Sequence, residues 1–266
     1  MRTLVFTKMV ASGNDFVVIE ARAHTQTVAH RALAKRLCDR KYGIGADGLL
    51  VLGRSTKADV RMRIFNADGS EAAMCGNGAR CAARYIGGKK KEIRIETGAG
   101  LIQAKVSADT ITIRLTAPTG IELDVPVRVN GRSLKLNRIN TGVPHAVIFV
   151  EGIDSMPVRE LGRDIRFHGD FAPRGTNVDF VEVGDGRTIA VRTYERGVED
   201  ETLACGTGST AAALIVALHH GGKGPIKVKT KSKELLWVYF KRTGESFKEV
   251  WLEGSASRVF TGTFIV

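Results

Sequence analysis

The chain has 266 residues, 43% hydrophobic and 26% charged, enough apolar material for one large or two modest domains of an ordinary soluble protein. Its 40 Lys+Arg against 28 Asp+Glu leave a formal charge of +12, but aromatic residues are only 6% and none interleave with the basic runs, which argues against a nucleic-acid partner. The 4 cysteines form no CxxC pair and stand near no close-set histidines, which excludes a disulfide framework and a zinc site and leaves reduced thiols.

The N-terminal stretch MRTLVFTKMVASGNDF holds no sustained apolar run, and the longest in the chain, AAALIVAL at 211–218, is too short to span a bilayer. A cytoplasmic protein with no membrane partner is the expectation. Short strands follow in order, TLVFTKM, DFVVIEA, GLLVLG, VRMRIFN, EIRIETGAG, LIQAKVS and TITIRLTA, broken by Gly, Asp and Pro. After the second of them, TVAHRALAKRLCDRKYG reads as a helix with Leu33 and Leu37 at i, i+4 that ends at Gly43, with Cys38 packed as a small hydrophobe. GIGADG at 43–48 matches G-x-G-x-x-G, but in the order helix, glycines, strand, the reverse of what dinucleotide binding needs. NADGSE lacks the acidic set of a calcium loop and reads as a turn at Asp68-Gly69.

AAMCGNGARCAARY sets Cys75 directly before Gly-Asn-Gly and an alanine-rich helix, where unpaired N–H groups and the helix dipole favour a thiolate and attract an anion. Cys81, one and a half turns on, is a core residue. LACGTGSTAAALIV repeats the arrangement at Cys205, and its helix is apolar on nearly every side, so it must be enclosed by curled strands. His168, His219 and His220 carry no motif and read as surface or helix-end residues. In IKVKTKSKELLWVYFKR the lysines alternate with Ile226, Val228 and Thr230, one solvent face of a strand.

These stretches repeat. SGNDFVVI (12–19) resembles TGVPHAVI (141–148) at a shift of 129, and GADGLLVL (45–52) resembles GTNVDFVE (175–182) at 130. RIFNADG (63–69) resembles RTYERG (192–197) at 129, setting Asn66 opposite Glu195, and Cys75 and Cys205 lie 130 apart. Matches in one order at nearly one shift mean two similar halves. We place them at 1–118, joined by the final strand at about 258–266, and at 119–257.

Two thiols at matching positions of matching halves imply one site approached from opposite sides. Inversion at a carbon needs that arrangement: a thiolate removes a proton from one face while a thiol returns one to the other, the pair titrating as a unit. A carbanion beside a carboxylate needs preorganised donors, and the N–H groups of Gly76, Asn77, Gly206 and Thr207 at the two helix N-termini would supply them. No serine-type triad is present, and the chemistry calls for no metal.

KMVASGNDFVVIE, NADGSEAAMCGNGARC, RGTNVDFVEV and YERGVEDETLACGTGS together resemble the diaminopimelate epimerase family, a similarity running from the first strand to beyond residue 215. The resemblance implies an α+β fold of two pseudo-symmetric domains, each a curled, mostly antiparallel sheet around a central helix, with the active site in the cleft between them. It implies a cofactor-independent interconversion of LL- and meso-2,6-diaminopimelate, in lysine and peptidoglycan precursor biosynthesis, by a homodimer. Carried over by position, Cys75 and Cys205 are the two bases. Asn14, Asn66, Gly76, Asn77, Asn177, Glu195, Arg196, Gly206 and Thr207 contact substrate, and His145 and Glu195 adjust the cysteines. An Arg fork for the remote carboxylate and oxygen acceptors for its ammonium suit an amino acid at each end. Two positions depart from the family pattern: Val143 stands where Asn is frequent, and Gly48 where Gln is. Two rivals remain: a related cysteine-pair racemase or epimerase acting on proline, hydroxyproline or histidine, and a basic binding protein on an inactive epimerase fold. The second conflicts with both thiols and both glycine cradles being intact.

Overall fold

The structure, a computed structural model, describes residues 3–21, 27–185 and 187–265. The chain divides into two compact units, Met1–Ile113 with Gly254–Val266, and Arg114–Glu253. Among the described residues no helix is long and apolar enough to cross a membrane.

In the first unit β1 (Thr3–Ala11) and β2 (Asn14–Glu20) form an antiparallel hairpin whose turn, Ser12-Gly13, has positive φ at both residues. Helix α1 (Thr27–Cys38) then leads to β3 (Gly48–Gly53), parallel to β2, and β4 (Val60–Asn66), antiparallel to β3. A short β5 (Glu71–Ala72) precedes α2 (Gly76–Gly87), and β6 (Glu92–Thr97), β7 (Gly100–Val106) and β8 (Thr110–Arg114) follow as an antiparallel ladder. The run GLLVLG is apolar without alternation because both faces of β3 are covered. Leu49 and Val51 pack with Leu37 and Cys38 of α1, while Leu50 turns toward Gly78 of α2.

One boundary differs from the sequence expectation. Helix α1 stops at Cys38, five residues before Gly43, because the Asp39 carboxylate accepts the N–H groups of Lys41 and Tyr42 at 2.7 Å. An Asp side chain that binds N–H groups two and three residues on offers the backbone a turn in place of another helical turn. Gly43 closes that turn through its N–H to Asp39 O.

The second unit repeats the plan. After the long antiparallel pair β9 (Thr119–Val129) and β10 (Arg132–Asn140) come β11 (Pro144–Phe149), α3 (Val158–Arg166) and β12 (Asn177–Val183), which lies parallel to β11. Then β13 (Thr188–Glu195), β14 (Asp200–Thr202), α4 (Gly206–His220), β15 (Ile226–Lys229), β16 (Leu235–Thr243) and β17 (Ser246–Ser255) complete it. Helix α3 packs Val158 and Ile165 against Ala146, Ile148, Val178 and Phe180. Gly162 brings its backbone so close that a Cβ would stand 2.5 Å from Tyr194 Cβ. On the other side of these strands α4 is buried at every residue from Gly208 to Ala217 and packs against β10, β11, β12, β13, β15 and β16. The all-round apolar reading of this helix therefore has its cause in enclosure by strands. Strand β18 (Ser257–Ile265) returns to the first unit and pairs antiparallel with β1.

The ladders fix how the halves correspond. Phe16 pairs with Gly48 and Leu50 with Ile64 in the first unit; His145 pairs with Asn177 and Asp179 with Thr193 in the second. Each member of the second set follows its counterpart by 129 positions, so the shift of 130 read from GADGLLVL and GTNVDFVE is one residue too long inside these strands. It does hold for Gly45 and Gly175, both at positive φ in the loops before β3 and β12. The extra residue is therefore absorbed in loops, since a one-residue slip within a ladder would turn every side chain to the opposite face.

Candidate active site

Each key cysteine is the N-cap of its unit's central helix. Cys75 has φ −143° and ψ 125°, and its Sγ accepts the Gly78 N–H at 3.4 Å; Cys205 has φ −113° and ψ 115°, and its Sγ accepts the Gly208 N–H, also at 3.4 Å. The Ala79 and Ser209 N–H groups go to the Cys75 and Cys205 carbonyls at 2.8 Å. Two of the four leading N–H groups of each helix are thereby used within the helix cap. The other two, on Gly76 and Asn77 and on Gly206 and Thr207, have no intrahelical acceptor and sit at the positive end of the dipole, where an anion is favoured.

Around α2, Asn77 donates through Nδ2 to Asn14 Oδ1 at 2.5 Å and accepts from Arg80, whose guanidinium also reaches Ser12 Oγ at 2.8 Å. Asn14 donates in turn to Asp47 at 3.1 Å, and Arg40 spans Asp47 and Asp15. Burial opposes ionisation of Asp15, yet Arg40 and Lys8 hold its carboxyl down at about 2. Asn14 and Asn77 are thus two links of one chain running from buried Arg80 to a surface ion cluster, which fixes both amide orientations. Asn66 stands apart from that chain: it ends β4, lies opposite Gly48, and donates to Ser70 Oγ at 2.9 Å. At Gly48 a Cβ would meet Phe65 O at 3.1 Å, so a longer side chain there needs its neighbours to give.

Around α4 the polar groups are buried as well. Cys205 is 8% exposed, and its Sγ also lies 3.3 Å from Thr207 Oγ1. Burial pushes its thiol well above the ordinary range, the carboxylates of Glu195 and Asp179 add to the rise, and the hydrogen bonds from Thr207 and Gly208 oppose it. Glu195, at the end of β13, is also pushed up by burial, against the lowering effect of His145. Asn177 accepts the Arg196 N–H at 2.9 Å and donates to Pro144 O at 3.0 Å, so its amide ties the end of β13 to the start of β11. The Arg196 guanidinium reaches Arg174 O at 3.4 Å. His145 follows Pro144 on β11 and is 1% exposed, with Nδ1 2.7 Å from Asp179 Oδ2.

The structure brings together Cys75, Gly76, Asn77 and Asn14 in one unit, and Cys205, Gly206, Thr207, His145, Glu195, Asn177 and Arg196 around β11–β13 and α4 in the other. Sequence reasoning passed over Asp179, Thr193, Arg80 and Asp47. Asp179 had a visible signal: a lone carboxylate inside a strand, NVDFV, that is buried at every position. Arg80 had none, because an arginine in GARCAARY reads as one solvated face of a helix. Cys38 and Cys81 are buried core residues, and burial lifts the Cys38 thiol to about 12.

Known proteins resemble this chain over nearly its whole length. The family model described as diaminopimelate epimerase matches residues 6–120 and 138–259. The diaminopimelate epimerase of Aquifex aeolicus is 43% identical, over 97% of this chain and 96% of its own. Among solved structures, a phenazine biosynthesis protein of the PhzF family from Bacillus anthracis superposes with a TM-score of 0.77 at 18% identity, covering 100% of both chains. A hydroxyproline epimerase from Agrobacterium vitis superposes with a TM-score of 0.71 at 16% identity, covering 99% of this chain and 91% of the other. The two superpositions establish the two-domain α+β architecture, while the extent of the family match and the identity to the Aquifex protein decide membership: the chain belongs to the diaminopimelate epimerase family.

Proposed function

We propose that the protein interconverts LL- and meso-2,6-diaminopimelate, with Cys75 and Cys205 as the two bases. In one direction a thiolate takes the α-hydrogen as a proton, leaving its electron pair on the α-carbon, and the other thiol delivers a proton to the opposite face. In the reverse direction the roles exchange. The developing charge is spread into the α-carboxylate, which the N–H pairs of Gly76-Asn77 and Gly206-Thr207 receive. Asn14, Asn66, Asn177, Glu195 and Arg196 bind the rest of the substrate, Arg196 as a fork on the remote carboxylate. His145 and Glu195 set the protonation of the cysteines. The enzyme serves lysine and peptidoglycan precursor synthesis, in the cytoplasm and as a homodimer.

The observation that carries this reading is the matched N-cap geometry of Cys75 and Cys205, each Sγ accepting the N–H three residues on at 3.4 Å. Incubation with LL- or meso-diaminopimelate in D₂O, with no added cofactor, is expected to place deuterium at the α-carbon as the isomers equilibrate. Absence of both exchange and isomerisation refutes it.

A further inference from the structure

Beneath the start of α4 lies a buried polar trio, Asp179, Thr193 and His145, of which only His145 has a role in the two-cysteine chemistry. Asp179, in the middle of β12, is 0% exposed, and both its oxygens are engaged: Oδ1 accepts Thr193 Oγ1 at 2.7 Å, and Oδ2 lies 2.7 Å from His145 Nδ1. A carboxylate only accepts, so Nδ1 carries the hydrogen and Nε2 is the second functional atom of the ring. Nε2 is buried and has no hydrogen-bond partner among the described residues. Asp179 also touches the helix that carries the thiol. A Cβ on Gly208 would stand 2.2 Å from Asp179 Oδ1, and Gly208 is the residue whose N–H holds Cys205 Sγ.

Packing alone does not require these groups. The equivalent places in the first unit, 129 positions earlier, are Phe16, Leu50 and Ile64, all buried, and Leu50 and Ile64 meet Gly78 as Asp179 and Thr193 meet Gly208. One fold position is thus filled by hydrocarbon in one unit and by a carboxylate with two donors in the other. A buried carboxylate costs stability unless every lone pair is served, so its presence where hydrocarbon suffices points to function.

We propose that Asp179 is a positioning residue for the epimerisation: anchored by Thr193, it holds the His145 imidazole with Nδ1–H turned inward, so that Nε2 is the atom through which His145 acts on the reacting groups. The proposal rests on the function proposed above. The groups that act on His145 are Asp179 on β12 and Glu195 on β13, while β10 pairs Ile139 opposite it. A neutral ring so held keeps its Nε2 lone pair available, and a protonated ring is stabilised by the carboxylate behind it.

Asp179→Asn preserves shape but lets an amide N–H face Nδ1, which drives the hydrogen to Nε2. In protein with ¹⁵N-labelled histidine, two-bond ¹H–¹⁵N spectra, with His145 assigned through His145→Gln, are expected to show Nδ1–H in the wild type and Nε2–H in Asp179→Asn. kcat on diaminopimelate is expected to fall at least about tenfold with KM changed by less than about twofold, and the loss to vanish in a His145→Gln background. If Asp179→Asn does not fold, Thr193→Val, which removes the anchor but not the carboxylate, is expected to keep Nδ1–H and to lower kcat with KM nearly unchanged, the loss again vanishing in a His145→Gln background. Thr193→Ser is expected to restore kcat. A wild-type ring bearing its hydrogen on Nε2, or an equal kcat loss in the His145→Gln background, overturns the proposal. The tautomer reading needs no substrate, so a wild type inert toward diaminopimelate would refute the proposed function and leave the ring assignment to be decided separately.

Discussion

Helices α2 and α4 start alike and rest on opposite chemistries. Under α2, the Cβ that Gly78 lacks would meet Leu50 Cδ2 at 3.1 Å and Ile64 Cδ1 at 3.5 Å; under α4, that of Gly208 would meet Asp179 Oδ1 at 2.2 Å and Thr193 Oγ1 at 3.1 Å. The first unit keeps its carboxylates farther out, in the Lys8, Asp15, Arg40 and Asp47 cluster that reaches the helix through Asn14 and Asn77. Both designs leave two N–H groups at the helix start, and in the second the carboxylates of Glu195 and Asp179 act on the buried Cys205 thiol. Duplicated backbones can thus retain a shared anion cradle and the same cysteine cap while the residues behind it diverge.

The largest expected effect tests what the halves share. Cys75→Ala and Cys205→Ala should each lower turnover by about a hundredfold or more, with far-UV circular dichroism unchanged, since each removes a general acid/base. If either variant turns over diaminopimelate at near wild-type rate, the cysteines are not equivalent partners. Next comes a test of their difference. Leu50→Asp reproduces Asp179 under α2 without a histidine or threonine to serve it, and should cost about 3 to 5 kcal/mol in urea unfolding. A cost below about 1 kcal/mol would mean that the first unit tolerates a buried carboxylate as readily as the second, and the contrast would fail.

The smallest effect concerns the outer cluster. Asp15 is held at about 2 in the folded chain against an ordinary 3.8, with Arg40 and Lys8 outweighing burial. Its folded value lies below its unfolded one, so its stabilisation is complete above about pH 5 and is lost as pH falls through 2. With solvent screening discounted, Asp15→Asn should cost about 1 to 2 kcal/mol at pH 7, the difference from wild type closing toward pH 2. A cost independent of pH, in unfolding followed across that range, would assign it to lost packing and not to the ion cluster.

The sequence by itself determined the parts whose signal is local. The Cys-Gly-x-Gly caps were legible because an N-cap and its small neighbours act within one helical turn. The strands GLLVLG and VRMRIFN were legible because their apolar content has strand length, and the two halves were legible because repetition survives divergence. The extent of α1 was not, because the Asp39 side chain competes with a helical pattern that runs on past it. The offset of the repeat within its strands was decided by ladder register, which no residue type encodes. What lay deepest needed the tertiary structure: Asp179, His145 and Thr193 are on three strands, up to 48 positions apart, and become one hydrogen-bonded unit only when those strands align. The same holds for Arg80 with Ser12 and Asn77, since a buried guanidinium is recognised by what surrounds it, and long-range pairing sets those surroundings.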